Sequence, residues 1–387
     1  MNRFETDLLL IPGPTPVPPP IARVLSEPAI SHRGAEFAEA LGACTAGLMT
    51  AFGTEGDVII LACSGTGGME AAIANALSPG DSIVTVEIGV FGKRWSDIAG
   101  RFGCEVTPAR FEWGKAAGPA ALDEALRSAP TPVKAVALTH NETSTGVLNP
   151  TRELLAVARS HGALTIVDCI SGLLATEFLM DKWGADIAVG GSQKAFAIPP
   201  GLAFVAVSPR GWEAIESATS PTFYFDLPAM KKTAEKGQTS YTASTTLVRA
   251  LRVALDLLLA DGLQAIIDRH TAMGTAVRAA VAAMGLKLFS DEAHASNAVT
   301  AILPPDGLDP DKIRSDLSKR FSIVFSGGQA DLKGRIFRIA HLGPIEPYQM
   351  LGTLACLEIV LRDQGYTAFP PGAGVAAAAD VLGRATR

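Results

Sequence analysis

The chain has 387 residues, 48% of them hydrophobic, and a formal charge of −6 at pH 7. That is enough for one large domain and a smaller one, each with its own core, and it excludes a disordered, collagen-like or disulfide-stapled chain. An acidic balance with no basic run argues against nucleic acid as a partner. The five cysteines, with no C-x-x-C pair, read as reduced thiols of a cytoplasmic protein, and six scattered histidines give a structural metal no support.

The N-terminal arm, residues 1–20, carries an apolar run of only four residues, Leu8 to Ile11, before its prolines. It is too short for a signal peptide or a membrane span, and no later segment supplies a long unbroken apolar stretch, so no membrane contact is expected. From "SGTGGMEAAIANALSPG" onward, helix-patterned pieces ending in Gly or Pro-Gly alternate with compact β-branched runs. "DSIVTVEIG" precedes the helical "VFGKRWSDIAGRFG"; "VKAVALTHN" precedes "PTRELLAVARSHG"; then come "ALTIVDCIS", "ADIAVGG" and "LAFVAVS". Runs that are apolar throughout suit strands buried on both faces, and the alternation predicts an α/β domain on a mostly parallel sheet covered by helices. After about Ser208 the rhythm changes. "STTLVRALRVALDLLLADGLQAIIDRHTAMGTAVRAAVAAMG" reads as one long helix, or two with a bend, and leads to a mixed α+β region. The chain therefore divides into the arm, a large domain over 21–260 and a small C-terminal domain over 261–387 joined by that helix. The Ala/Gly-rich tail from Pro370 is expected to be only partly ordered.

Four stretches of the first domain carry chemistry. In "CSGTGGMEAA", small residues from Ser64 to Gly68 let backbone N–H groups approach an anion at the positive end of the following helix. The turn is neither G-x-G-x-x-G nor a P-loop, and alone it is equally a tight turn. "HNETSTG" supplies hydroxyls and amides from Asn141 to Thr145 at a strand end. Asp168 closes the buried-looking run "TIVD", at the carboxyl end of a strand, where ligands of open α/β sheets gather; a protonated ring nitrogen would partner it, though an isolated Asp is as readily a cap or a loop ion pair. In "GGSQKAFAIPPG", Lys194 sits among Ala195, Phe196, Ala197 and Ile198. A buried lysine is costly unless paired or neutralised, and desolvation leaves it a nucleophilic amine. A lysine snorkelling from a loop is the plain alternative. An anion cup, an acid for a pyridinium, an amine for an aldehyde and a polar loop for a ring hydroxyl are together the attachments pyridoxal phosphate requires.

In these stretches, in their order and spacing, and from "PGPTPVP" to "FRIAHLG", the chain resembles the class V pyridoxal-phosphate aminotransferases of fold type I. It is most similar to the alanine–glyoxylate and serine–glyoxylate (serine–pyruvate) group. The resemblance implies that Lys194 carries the cofactor and moves the proton between substrate Cα and cofactor C4′, while Asp168 keeps the pyridine nitrogen protonated. It further implies that Gly65, Thr66 and Gly67 bind phosphate with Gln193, that Thr143 meets the ring hydroxyl, and that Ile170 and Phe91 cover the two ring faces. Arg338 of "FRIAHLG" would clamp the substrate α-carboxylate through its planar fork. Family members are homodimers whose partner subunit reaches the phosphate; "GQTSYTASTT" is the matching stretch, with Thr242 the foremost candidate and Gln238 and Thr239 behind it. His32 and Arg33 of "SHRGAEF" match an entrance motif and receive no catalytic role.

The activity so implied is transfer of an amino group from alanine or serine to glyoxylate or pyruvate by a ping-pong route. Two relatives offer other chemistry. A 2-aminoethylphosphonate–pyruvate aminotransferase presents Arg338 with a phosphonate. A cysteine desulfurase or lyase needs a histidine over the ring and a mobile nucleophilic cysteine, whereas this chain has Phe91 in the stacking place and Cys356 within an apolar helical run. A non-catalytic member of the fold would not need both Lys194 and Asp168.

Overall fold

The computed structural model describes residues 6–385. Its centre is a seven-stranded sheet of β2 (Asp57–Leu61), β3 (Ser82–Glu87), β4 (Glu105–Arg110), β5 (Ala135–Thr139), β8 (Leu164–Asp168), β9 (Ile187–Gly191) and β10 (Ala203–Val207), in the order β2-β10-β9-β8-β5-β3-β4. Only β10 runs against its neighbours. A two-residue hairpin, β6 (Asn141–Glu142) with β7 (Val147–Leu148), follows β5. Successive residues of the central strands alternate between two cores. Val84, Val136, Leu138 and Val167 face one side with the helix Ala35–Phe52; Ile83, Ala135, Ala137 and Ile166 face the other with the helix Gly65–Ala76. Both faces being covered is why these strands read as continuous apolar runs. The two edges were less legible. β4 is "EVTPAR", mostly half-buried, and pairs with β3 alone.

A second, five-stranded sheet has the order β1-β13-β14-β12-β11, from β1 (Leu8–Leu10), β11 (Lys287–Leu288), β12 (Val299–Leu303), β13 (Ile323–Gly327) and β14 (Phe337–Ala340). Its first strand comes from the N-terminal arm, with Leu8, Leu9 and Leu10 paired parallel to Ile323, Val324 and Phe325. The long helix is two, Thr245–Leu258 and Leu263–Ala283, separated at the Asp261–Gly262 turn. The first packs on the helix Ala35–Phe52, and the second on the small sheet. The tail departs from its expectation: Ala373–Ala385 is a helix lying on Leu263–Ala283 and burying Ala378 and Leu382. Its alanines, read as low-complexity sequence, are strong helix formers once a partner face is present. Among the described residues no helix is long and apolar enough to cross a membrane.

Leu10 is fully buried between Phe325 and the small-domain helices. Leu10→Ala should destabilise the small domain by about 2–5 kcal/mol, the usual cost of a cavity left by a buried leucine. A denaturation midpoint equal to wild type would show that the arm is not part of that core.

Candidate active site

The carboxyl ends of the parallel strands converge on one cavity. Lys194 follows β9, Asp168 ends β8, Thr143 follows β5, Phe91 opens the helix after β3, and Ser64, Gly65 and Thr66 lie at the start of the helix after β2. Ile170, Ser171, Gln193 and Arg94 complete its wall. Placement at strand ends where crossover connections diverge is the general rule for open α/β sheets.

Lys194 is held by the N-terminal arm. Its amine donates to the Pro12 carbonyl, and the Thr15 hydroxyl donates to the Lys194 carbonyl at 2.9 Å. Gly13 has φ +111°, and a Cβ there would lie 2.8 Å from the lysine Cδ and Nζ, so only glycine lets the backbone pass so close. Burial lowers the amine to about 8 against an ordinary 10.5, while Asp168 pulls it upward. Asp168 is 4% exposed and accepts from the Ile170 N–H at 2.8 Å; its other oxygen has no protein donor among the described residues. Desolvation raises its carboxyl to about 7, with the Ile170 bond opposing.

The helix Gly65–Ala76 begins against Ile170, whose Cδ1 would lie 2.6 Å from a Cβ on residue 65. The Gly67 N–H donates to the Ser64 carbonyl at 2.8 Å, so it is spent within the first helical turn and Gly67 does not line the cavity. The amides left for an anion are those of Gly65 and Thr66. The Gln193 amide oxygen is buried without a hydrogen-bond partner, a group that a ligand would satisfy.

Glu142 has the densest set of contacts near the site. Its carboxylate accepts from the Phe91 and Gly92 N–H groups, both at 2.9 Å, and from the Ser144 N–H and hydroxyl at 3.1 and 2.5 Å. It therefore caps the helix Val90–Arg101 from another loop and sets where Phe91 stands. Desolvation pushes its pKa up against those four bonds. "HNETSTG" read only as a polar loop; the acid within it is the organiser. Arg94, three residues past Phe91, stacks over that ring at 4.7 Å and donates to the Thr66 hydroxyl at 2.8 Å. Neither Glu142 nor Arg94 stands out in the sequence, although Arg94 follows Phe91 at same-face helical spacing.

Arg338, on β14, is 3% exposed and reaches the cavity wall through the second domain. Its Nη1 donates to the Thr143 carbonyl at 2.6 Å and its Nε to the Gly327 carbonyl at 3.0 Å, leaving Nη2 without an acceptor among the described residues. Burial brings it down to about 10. Thr242 lies elsewhere, exposed on the 237–244 segment beside a separate apolar cavity lined by Leu41, Ile60, Tyr224 and Met230. Arg33 binds that segment, donating to Gln238 Oε1 at 2.8 Å and to the Thr239 carbonyl at 2.9 Å, and so ties a loop. Burial raises the Cys63 thiol, next to the anion cup, to about 12, and raises Cys169 and Cys356 as well, so none is a ready nucleophile. Among the described residues no three His, Cys, Asp or Glu side chains meet as a metal site.

The family described as Aminotransferase class-V matches residues 21–335. The soluble hydrogenase, small subunit, of Synechococcus sp. is 45% identical, over 98% of this chain and 99% of its own. The serine–glyoxylate aminotransferase of Methylorubrum extorquens is 36% identical, over 97% and 95%. The crystal structure of ureidoglycine–glyoxylate aminotransferase from Bacillus subtilis superposes with a TM-score of 0.91 at 29% identity, covering 98% of both chains.

Glu142→Gln places an amide NH2 among donors in that cap. It should cost roughly 1–3 kcal/mol of stability, read from thermal unfolding; an unchanged melting point would deny Glu142 its organising role. Asp168 gives a pH signature in the ligand-free protein. With its folded pKa raised to about 7 from 3.8, the folded state holds a proton that the unfolded state has lost, so this group's burial erodes stability as pH rises from about 4 through 7. Asp168→Asn should therefore be more resistant to denaturant than wild type at pH 8, with the advantage gone near pH 4. A constant difference across that range would show the carboxyl to be unperturbed.

Proposed function

The chain belongs to the class V aminotransferases, with pyridoxal phosphate as cofactor and the fold type I architecture, and from that premise we propose that it moves an amino group from alanine or serine to glyoxylate or pyruvate in two half-reactions. The observation that carries this reading is the burial of Lys194 and Asp168 in one cavity with the Gly65–Thr66 amides. The donor set fits the cofactor: amides and hydroxyls for an anion, a carboxylate for a ring nitrogen, an amine for a carbonyl, and Phe91 and Ile170 as apolar walls. Pyridoxal phosphate, when bound, supplies an electrophilic carbonyl and a ring that takes up the electrons of the substrate Cα–H bond.

This chain's residues do the rest. The Lys194 amine, which burial lowers to about 8, would take the proton from the substrate Cα and return it at C4′ once pyridoxal phosphate is held in the cavity. The Asp168 carboxylate, costly while buried alone, is stabilised when a protonated ring nitrogen faces it, and in turn keeps that nitrogen charged. Arg338 orients the substrate through its α-carboxylate. Pro12 and Gly13 crossing the lysine amine leave small side chains favoured at the donor. The serine–glyoxylate and ureidoglycine–glyoxylate relatives have glyoxylate in common and differ in the other substrate, which supports glyoxylate as acceptor. The raised cysteine pKa values favour transfer over a desulfurase or lyase. Arg338 admits the aminoethylphosphonate alternative, for which no second feature speaks.

In this reading the protein is a homodimer with Thr242 of one subunit turned to the cofactor phosphate of the other; the exposure of Thr242 in an otherwise half-buried segment supports it. The large domain spans 21–260 and the small domain 261–387, and five free thiols favour a cytoplasmic setting.

Half-reactions test the proposal. Mixing the loaded enzyme with L-alanine or L-serine should shift its visible absorbance and release the matching 2-oxo acid, and glyoxylate should reverse the shift. No shift with either donor would refute the assignment. Arg338→Lys replaces a fork by a point charge and should raise KM for every α-amino acid roughly tenfold or more; a wild-type KM would place the carboxylate elsewhere.

A further inference from the structure

We propose that Arg94 is a cofactor anchor, a cation that grips the phosphate end of pyridoxal phosphate together with the Thr66 hydroxyl. The inference rests on the function proposed above and adds to it a residue that neither motif nor resemblance had assigned. Three observations converge. Arg94 lines the same cavity as Lys194 and Asp168, and its Nη1 donates to Thr66 Oγ1 at 2.8 Å. Because that oxygen accepts from the guanidinium, the hydroxyl proton is free to be donated to an anion. Arg94 also has no carboxylate within ion-pair distance among the described residues, whereas its neighbour Lys93 is paired with Asp97 at 2.6 Å on the outer face.

Charge balance makes the role specific. Of the other charged groups on the wall, Asp168 and Lys194 have opposite signs and are shifted toward neutrality by burial. A phosphate dianion entering the cup would meet the Gly65 and Thr66 amides, a helix end and the neutral Gln193 amide, none of which is a full positive charge. Arg338 is tied to Thr143 and Gly327 and is directed to the substrate carboxylate. Arg94, tied to Thr66 in the anion cup, is the guanidinium left for the phosphate. Stacking on Phe91 holds its plane, so the ring that covers the cofactor and the cation that grips its phosphate are placed by one helical turn. Glu142 caps the start of that turn, which makes it a positioning residue for both.

The test is absorbance titration of the cofactor-free protein with pyridoxal phosphate and, separately, with pyridoxal, which lacks the phosphate. Arg94→Gln should raise the dissociation constant for pyridoxal phosphate roughly tenfold to a hundredfold, the loss expected for a charge-assisted bond, while that for pyridoxal changes less than about twofold. Inorganic phosphate should slow cofactor uptake in wild type and need a much higher concentration to do so in Arg94→Gln; Arg94→Lys should recover part of the affinity. Equal affinity of variant and wild type for pyridoxal phosphate overturns the inference. So does a parallel loss for both compounds, which would mean a purely structural role, or a change confined to the KM of dicarboxylic donors, which would place the guanidinium at the substrate. If wild type itself takes up no pyridoxal phosphate, the proposed function fails and this inference with it; any of the other contrary results sinks the inference alone.

Discussion

The site depends on the lysine amine being kept out of water at the end of a parallel strand. Lys194 is removed from solvent by a segment that comes from the other end of the chain: β1 is knitted into the small-domain sheet, and Pro12, Gly13 and Thr15 then cross Lys194 and Gln193 on the way to the large domain. The arm is therefore a strap between the sheet that carries Arg338 and the loop that carries the amine. A rearrangement of the small domain would be felt at the buried Lys194 amine, because one extended segment of a few residues joins them.

The second organising element is electrostatic. Burying Asp168 and Lys194 is costly in the unloaded protein, and each is shifted toward its neutral form. A ligand that brings a cationic ring nitrogen and a carbonyl relieves both, so part of the cofactor's affinity is relief of a penalty built into the fold. Glu142, which burial also pushes toward its neutral form, sits among four donors and in return fixes the helix that holds Phe91 and Arg94. Asp186, on the far side of the sheet's connections, is a third, paired with Arg159 and Arg210. Three buried acids thus have three fates: one awaits a ligand, one orders a loop, and one ties the scaffold.

The relatives bound the chemistry more tightly than the substrate. Class V membership sets the cofactor, and the cavity agrees with it through the orphan Gln193 oxygen and the free amides of Gly65 and Thr66.

The sequence by itself showed five strands of the central sheet, β3, β5, β8, β9 and β10, and marked the glycine-rich turn, Lys194 and Asp168 as candidates for a site. Strands buried on both faces must be apolar at every position, and a glycine-rich turn or an isolated charge in such a setting is visible within a few residues. It misjudged what depends on partners. β4, an edge strand, has no need of an apolar run; β1 pairs with a strand more than three hundred residues away, and no local pattern records that. The tail looked formless because a helix of alanines is stable only against the face it packs on. At the site, Gly67 loses its amide to the first helical turn, while Lys93 and Arg94 are equally cationic in the sequence. Only the rotation of their helix, set by Glu142 from another loop, turns Arg94 inward and leaves Lys93 in water. Tertiary structure decided these points because each is a matter of which distant group supplies the hydrogen bond.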